Sequence, residues 1–593
     1  MAVYRSDQAQ LTMSAEAAPG GDPELISGTR VGGSSDIDTT LSADANAGAT
    51  QITVAETGNV VVGDFIRIGG PSNADATIDS NVSEEFEIRR IVHTSATSGA
   101  GTFFLDRPLA FFHPSGDDVE EVTNVTNTTA DTFYPYITTV PGIYEGVTLP
   151  DFTPAIEPRY LLGTSSDRNF TTAYSGAQTF SGALSSFVVV DATPLRFPIG
   201  TMKTNPNLYL GSGEISTELQ TAAKKGDVWI NVKENTNIGA GKFVHMTDES
   251  GDAITGTTVQ SGTNPEVVKV QSVTGSGTST FVQLSQPLRF DHAVNTHFQE
   301  CAASPVFTHT IEEAFDLDTL SWNVLFRDTA ETPDNDLQRR YVGGIVDSAT
   351  ISAAEGGMLM MSYDSVPFLD MVHNQEDQAS VGTNLFNSSN APAGMPRFAL
   401  MNKITSSDID FPSTEPYYFS QGSFKLFGQE FARVRSISIS IANSVEPRYY
   451  ISPRHGRHRG PSEFREGRRS YSMACTIALP DTAANTATTV NSANEIFKQL
   501  LLEGNFGDGN GLKGFNIELT FTRGTNDTIQ ILIPNDYTSG DESTGAATGL
   551  NEQGAFILSA PYNITGDPIV QTDVDILFRN MKIIVTDSKG VYI

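Results

Sequence analysis

The chain has 593 residues, 38% of them hydrophobic and 18% charged, a globular composition long enough for several domains. Seventy acidic against 37 basic residues leave a formal net charge of −33, which opposes wrapping around nucleic acid. No apolar run approaches the ~18–20 residues of a membrane helix, and the first twenty residues lack the basic and apolar segments of a secretory signal.

Short runs of Thr, Ser, Val and Ile between Gly, Asn and Asp clusters predict a mainly β chain. Residues 1–34 read as an N-terminal arm. Residues 35–126 read as a small β module, because the runs 48–54, 63–68 and 105–111, the last followed by His113, recur in the same order at 226–232, 241–246 and 284–290, followed by His292. The second copy of the module spans 213–299. A larger β domain is expected to begin at 127–212 and to resume at 300–375, with that second module inserted. It contains Glu157-Pro-Arg-Tyr160, the polar run 176–181 and the strand pattern 320–327. Residues 376–593 read as a second large domain, since Glu446-Pro-Arg-Tyr449, the polar run 467–472 and the pattern 515–523 follow in the same order. Within it, Ile437, Ile439 and Ile441 alternate with Ser436, Ser438 and Ser440, so one face buries and the other stays wet. Further strands are expected at 529–533 and 575–586. Ser492 and Glu495 form a capping box ahead of the stripe Ile496, Phe497, Leu500 and Leu501, and Gly504 follows. A short helix is therefore predicted over 492–503, packed on a sheet.

Residues that carry chemistry are sparse. The nine histidines have no trusted ligand spacing; His292 and His297 are five apart. The acidic turns 248–252 and 334–336 lack the EF-hand pattern, and no nucleophile-elbow, phosphate-loop or zinc-protease motif occurs. Cys301 and Cys475 suit buried small hydrophobes better than a disulfide or reactive thiols. Trp229 and Trp322 lie in strand patterns that read as core. The expectation is a protein without catalytic residues, cofactor or metal. Only twelve residues are lysine, all from Lys203 onward. An ordinary acidic surface, adaptation to high salt and an acidic wall facing a polyanion all stay open.

One stretch breaks the acidic trend. Arg448, Arg454, Arg457, Arg459, Arg465, Arg468 and Arg469, with His455 and His458, fall within 448–469, punctuated by Gly456, Gly460, Pro461 and Gly467. This is a long loop between strands. It could be solvated, touch nucleic acid, or dock on an acidic face of a neighbouring copy. The last is preferred, because guanidinium pairs carboxylate bidentately and is less strongly hydrated than ammonium.

The succession of Leu426-Phe-Gly428, the alternating strand ending in Ala442-Asn-Ser-Val-Glu-Pro447, the Gly/Pro loop and Gly467-Arg-Arg-Ser-Tyr-Ser-Met-Ala-Cys-Thr-Ile477 resembles the tail tube proteins of tailed double-stranded DNA viruses. Arg339-Arg-Tyr-Val-Gly-Gly344, Ser348-Ala-Thr-Ile-Ser352 and Gly357-Met-Leu-Met-Met361 are similar to the first half of that pattern, as is Ser181-Gly-Ala-Leu184 leading to Pro194-Leu-Arg-Phe-Pro-Ile-Gly200. The resemblance covers most of 127–212 and 300–593, not the small modules. It implies two antiparallel β-sandwich or barrel domains, each with a packing helix, whose strands join those of neighbours into a continuous inner barrel. It also implies stacked rings, trimeric with pseudo-sixfold symmetry or else hexameric, and a virion tail assembled in the host cytoplasm. Other tail proteins would cap the tube, DNA would pass through the lumen without specific binding, and no membrane insertion is expected. The Arg448–Arg469 loop is assigned to contact between rings, and a halophilic archaeal host fits the charge. The competing reading is an adhesive or carbohydrate-binding multi-β surface or tail-fibre protein.

Overall fold

The computed structural model describes residues 9–16, 29–30, 37–45, 49, 51–61, 64–69, 86–105, 109, 113–123, 138–144, 146–150, 153–159, 172–210, 215–227, 229–247, 259, 262–274, 277, 280–286, 288–302, 306–326, 337–375, 409–410, 415–426, 429–430, 434–449, 461, 463–478, 514–536, 550–551, 554–563 and 571–592. The fold is mainly β, built from antiparallel sheets. The one α-helix among these residues is the four-residue turn Thr193–Arg196. The helix expected over 492–503 lies outside the described residues.

Two sandwich units share their largest sheet. In unit I, Thr172–Val188 pairs on one side with Ile143–Tyr144, Val147–Thr148 and Thr153–Arg159, and on the other with Met360–Phe368, which pairs with Ser348–Ala354. In unit II, Val434–Ala442 pairs with Ser470–Ala478, then Gln571–Phe578, then Phe556–Ser559. The two halves are stitched at Ser348–Ala354 and Val434–Ala442, in register from Ser348↔Ala442 to Ala354↔Ser436. Alternation drives this seam. Ala349, Ile351, Ala353, Ile437, Ile439 and Ile441 are buried on one face, while Ser440 on the other is exposed.

Behind the shared sheet, each unit carries its own second layer, and the layers correspond strand for strand. Unit I orders Asp370–Gln375, Leu337–Gly344, Leu320–Phe326, Ala9–Ala15 and Thr138–Thr139, with Ile409–Asp410 added parallel to the last. Unit II orders Lys582–Asp587, Asp527–Ile533, Ile517–Gly524, Gly422–Leu426 and Gln429–Glu430. One continuous hydrophobic core, including Trp322, Tyr341, Tyr471 and Phe521, runs through both units.

Two domain boundaries are corrected. Residues 9–15 are not part of an arm. They form the unit I strand that pairs with Leu320–Phe326 and matches Gly422–Leu426 of unit II, because Leu11 and Met13 bury in the core. Both small modules are therefore insertions into unit I. The strands flanking the second module, Gly200–Pro206 and Phe307–Glu313, leave unit I and extend the second layer of unit II through Lys582–Asp587.

The modules have matching sheets. Strands Asp38–Thr40, Asp118–Thr123, Phe65–Gly69, Phe86–Thr94, Gly101–Leu105 and Gln51–Val54 of the first correspond to Ser216–Glu218, His297–Glu300, Phe243–Thr247, Glu266–Thr274, Thr280–Leu284 and Trp229–Val232 of the second. Even the isolated bridges repeat: Ala45 with His113 and Ala223 with His292, Leu41 with Val54 and Leu219 with Val232. Each module has its own core. They meet where Phe104 packs edge-on to Trp229 at 4.6 Å between ring centroids, and where His93 stacks on Phe281 at 4.5 Å.

Candidate functional site

The wet face of the shared sheet is hydroxyl-rich and acidic. Asp364 accepts hydrogen bonds from Thr350 (2.9 Å) and Ser362 (2.7 Å), Asp573 from Thr476 (2.8 Å), and Asp575 from Ser559 (2.6 Å). On Ser348–Ala354, Met360–Phe368, Val434–Ala442, Ser470–Ala478 and Gln571–Phe578 the one basic residue is Arg435. Its Nε donates to Glu355 at 3.0 Å. Small side chains at Ser352, Ser436, Ser438, Ala474 and Thr476 leave an open recess of about 530 Å³ over this surface, flanked by Met358 and Met360.

The two ends of the shared sheet are open. Among the described residues, no strand pairs with the outer side of Ile143–Tyr144 and Val147–Thr148, and none with the outer side of Phe556–Ser559. Each edge presents a large apolar side chain to water: Ile143 is 57% exposed and Leu558 is 62% exposed. These edges occupy the positions that Val434–Ala442 and Ser348–Ala354 hold in the internal seam. Unpaired N–H and C=O rows beside exposed aliphatic groups are the usual features of association.

The arginine cluster divides. Arg454, Arg457 and Arg459 lie outside the described residues. Arg448 and Arg465 sit on a hairpin, Glu446–Arg448 against Glu463–Arg465, and pair with Glu446 and Glu463 on their own strands, at 2.9 and 2.8 Å. The matching Glu157-Pro-Arg segment of unit I pairs with the start of Thr172–Val188 in the same way. Arg468 is exposed. Arg469 departs from the expected role in contact between rings, because its guanidinium is committed within the chain. It donates to Asn443 Oδ1 (2.8 Å), Ile199 O (3.0 Å) and Ala314 O (3.3 Å). Asn443 is itself buried and donates to Pro198 O and Val346 O. Beside this knot Gly467 fits tightly, since a Cβ there would stand 2.7 Å from Ser444 O.

The units are also pinned by groups without a sequence signal. Arg523 lies over the Tyr417 ring at 4.3 Å and donates to Val190 O of unit I. Lys589 pairs with Asp191 at 3.0 Å. The periodicity of a strand does not mark such tie points, because each depends on a distant partner.

Burial, then Asp575 and Asp573, push the Cys475 thiol up to about 12, and burial with Glu300 raises Cys301 further, so both stay protonated at neutral pH. Trp229 and Trp322 are core residues. Among the described residues, no group of three or more His, Cys, Asp or Glu is placed to hold a metal ion. A scan against models of known protein families finds no match to this chain, and a search of curated proteins finds none.

Proposed function

We propose that the chain is a virion structural protein of a tailed virus, assembling head to tail into rings that stack as a tail tube through which the genome passes. The observation that carries this reading is the internal seam. Two equivalent units are already joined edge to edge into one sheet, and each outer edge repeats one side of that seam. Applying the junction once more, from Phe556–Ser559 of one copy to Ile143–Thr148 of the next, extends the same sheet. Closure of the ring then removes both free edges of that sheet. Three copies give six units and pseudo-sixfold symmetry; a hexamer with one barrel unit per chain is the alternative count. The wet face, carrying Asp364, Asp573 and Asp575 with Arg435 already paired, suits the inner wall of a conduit, where carboxylates repel phosphate and DNA slides without adhering. The small modules then hang outside. The acid-rich, lysine-poor composition also suits a host living at high salt. Negative-stain imaging of the purified protein tests the proposal. Hollow filaments or stacked rings with three chains per cross-section are expected. A population of isolated monomers at high concentration overturns it.

A further inference from the structure

Phe315 is 94% exposed, far more than any other large hydrophobic residue described. Large hydrophobic residues exposed singly are ordinary on a protein surface; Phe315 differs in being almost wholly in water on a turn that is tied down on both sides. The turn is held from both sides. Ala314 O accepts from Arg469 Nη2, and Leu317 N donates to Glu466 Oε1 at 3.0 Å. Further along, Asp318 pairs with Lys225 of the second module at 3.2 Å, and Thr319 O accepts from Glu16 N. Glu466 and Arg469 form the root of the arginine-bearing hairpin. Phe315 and that hairpin therefore leave the same end of unit II as one connected body.

We propose that Phe315 is the apolar anchor of an axial contact with a second copy of this chain, with Arg468, exposed at the root of the hairpin, supplying charge attraction beside it. The partner follows from complementarity. A local excess of arginine on a polypeptide of net charge −33 finds its best counter-surface on another molecule of the same kind. The lateral edges already account for Ile143 and Leu558, whereas Phe315 projects from the end of the sandwich. A contact joining unlike ends along the tube axis translates each copy past the last and cannot close, so it generates a filament. Arg469 acts at one remove: it fixes the turn before association, so little ordering remains to be done on binding. Interface energy is concentrated in a few large, desolvated anchor residues seated in pockets of the partner.

This inference rests on the tube reading, and the test separates the two. Wild-type chain and Phe315→Ser are compared for filament formation by electron microscopy and sedimentation, with thermal unfolding as a control. Phe315→Ser is expected to keep the wild-type melting temperature and to form rings, while its critical concentration for stacking rises at least about tenfold. Hydrogen exchange at 314–317 should slow in wild-type filaments relative to unassembled protein. Filaments of normal length from Phe315→Ser, or exchange at 314–317 unchanged by assembly, overturn the anchor and leave the tube reading standing. A wild-type chain that never assembles overturns both.

Discussion

The seam inside the chain and the edges at its ends are built from equivalent strands, yet they present opposite surfaces. At the seam, Ile351 meets Ile439 in register and both are buried. At the ends, Ile143 and Leu558 face water. The strand order is the same; what differs is that no described strand pairs with the outer side of the ends. In the proposed assembly, the exposed apolar groups mark where the next unit belongs.

That contrast can be broken most forcefully at the seam. Ile439→Ala removes a buried aliphatic group where the units join, and should destabilise the whole double unit by about 2–5 kcal/mol. Chemical denaturation measures this, and a loss under about 1 kcal/mol would mean the seam contributes little. The edges should respond in the reverse sense. Leu558→Lys places a charge on the open strand, the device by which natural edge strands avoid pairing. Its melting temperature should stay within a degree or two of wild type while ring formation is lost; intact rings would place the lateral contact elsewhere.

A smaller effect sharpens the contrast by removing other parts first. In the second module, burial and then His292 push His245 down to about 3, so it is neutral at pH 7, with Nδ1 2.8 Å from the Tyr209 hydroxyl. Its unfolded pKa is near 6.5, so the unfolded chain binds the proton more readily. Stability is present in full above that value and is lost as pH falls from there toward 3. Glu266 adds to the loss at lower pH. Burial would raise its pKa, but the hydrogen bond and charge of His292 outweigh this and hold it below the usual carboxylate range. The equivalent site in the first module holds Arg67 and Glu120, 3.5 Å apart, so it has no histidine to titrate. Between pH 6.5 and 4, hydrogen exchange at 244–246 should accelerate before that of the seam, and His245→Gln should flatten the trend. Seam exchange accelerating first would contradict this order.

Much of this architecture is legible in the sequence, for a physical reason. Alternation such as Ile437-Ser-Ile-Ser-Ile441 is a local property, and so is the recurrence of blocks that marks the modules. What could not be read is non-local. Residues 9–15 look like an arm because nothing nearby says that Leu11 and Met13 complete a sheet with residues more than three hundred positions away. The arginine cluster is conspicuous as composition, but composition does not separate Arg469, which ties the hairpin root to Asn443, from Arg468, which faces solvent. Phe315 carries no pattern at all; its prominence exists only once Glu466 and Arg469 hold its turn.

The asymmetric placement of the insertions has a consequence for crowding. Both modules are inserted in the unit I part of the sequence, but the second is carried on Gly200–Pro206 and Phe307–Glu313, which extend the second layer of unit II. In the proposed tube, fusing two positions into one chain lets neighbouring outgrowths differ, so that they pack on each other through Phe104, Trp229, His93 and Phe281 instead of repeating identically at every step.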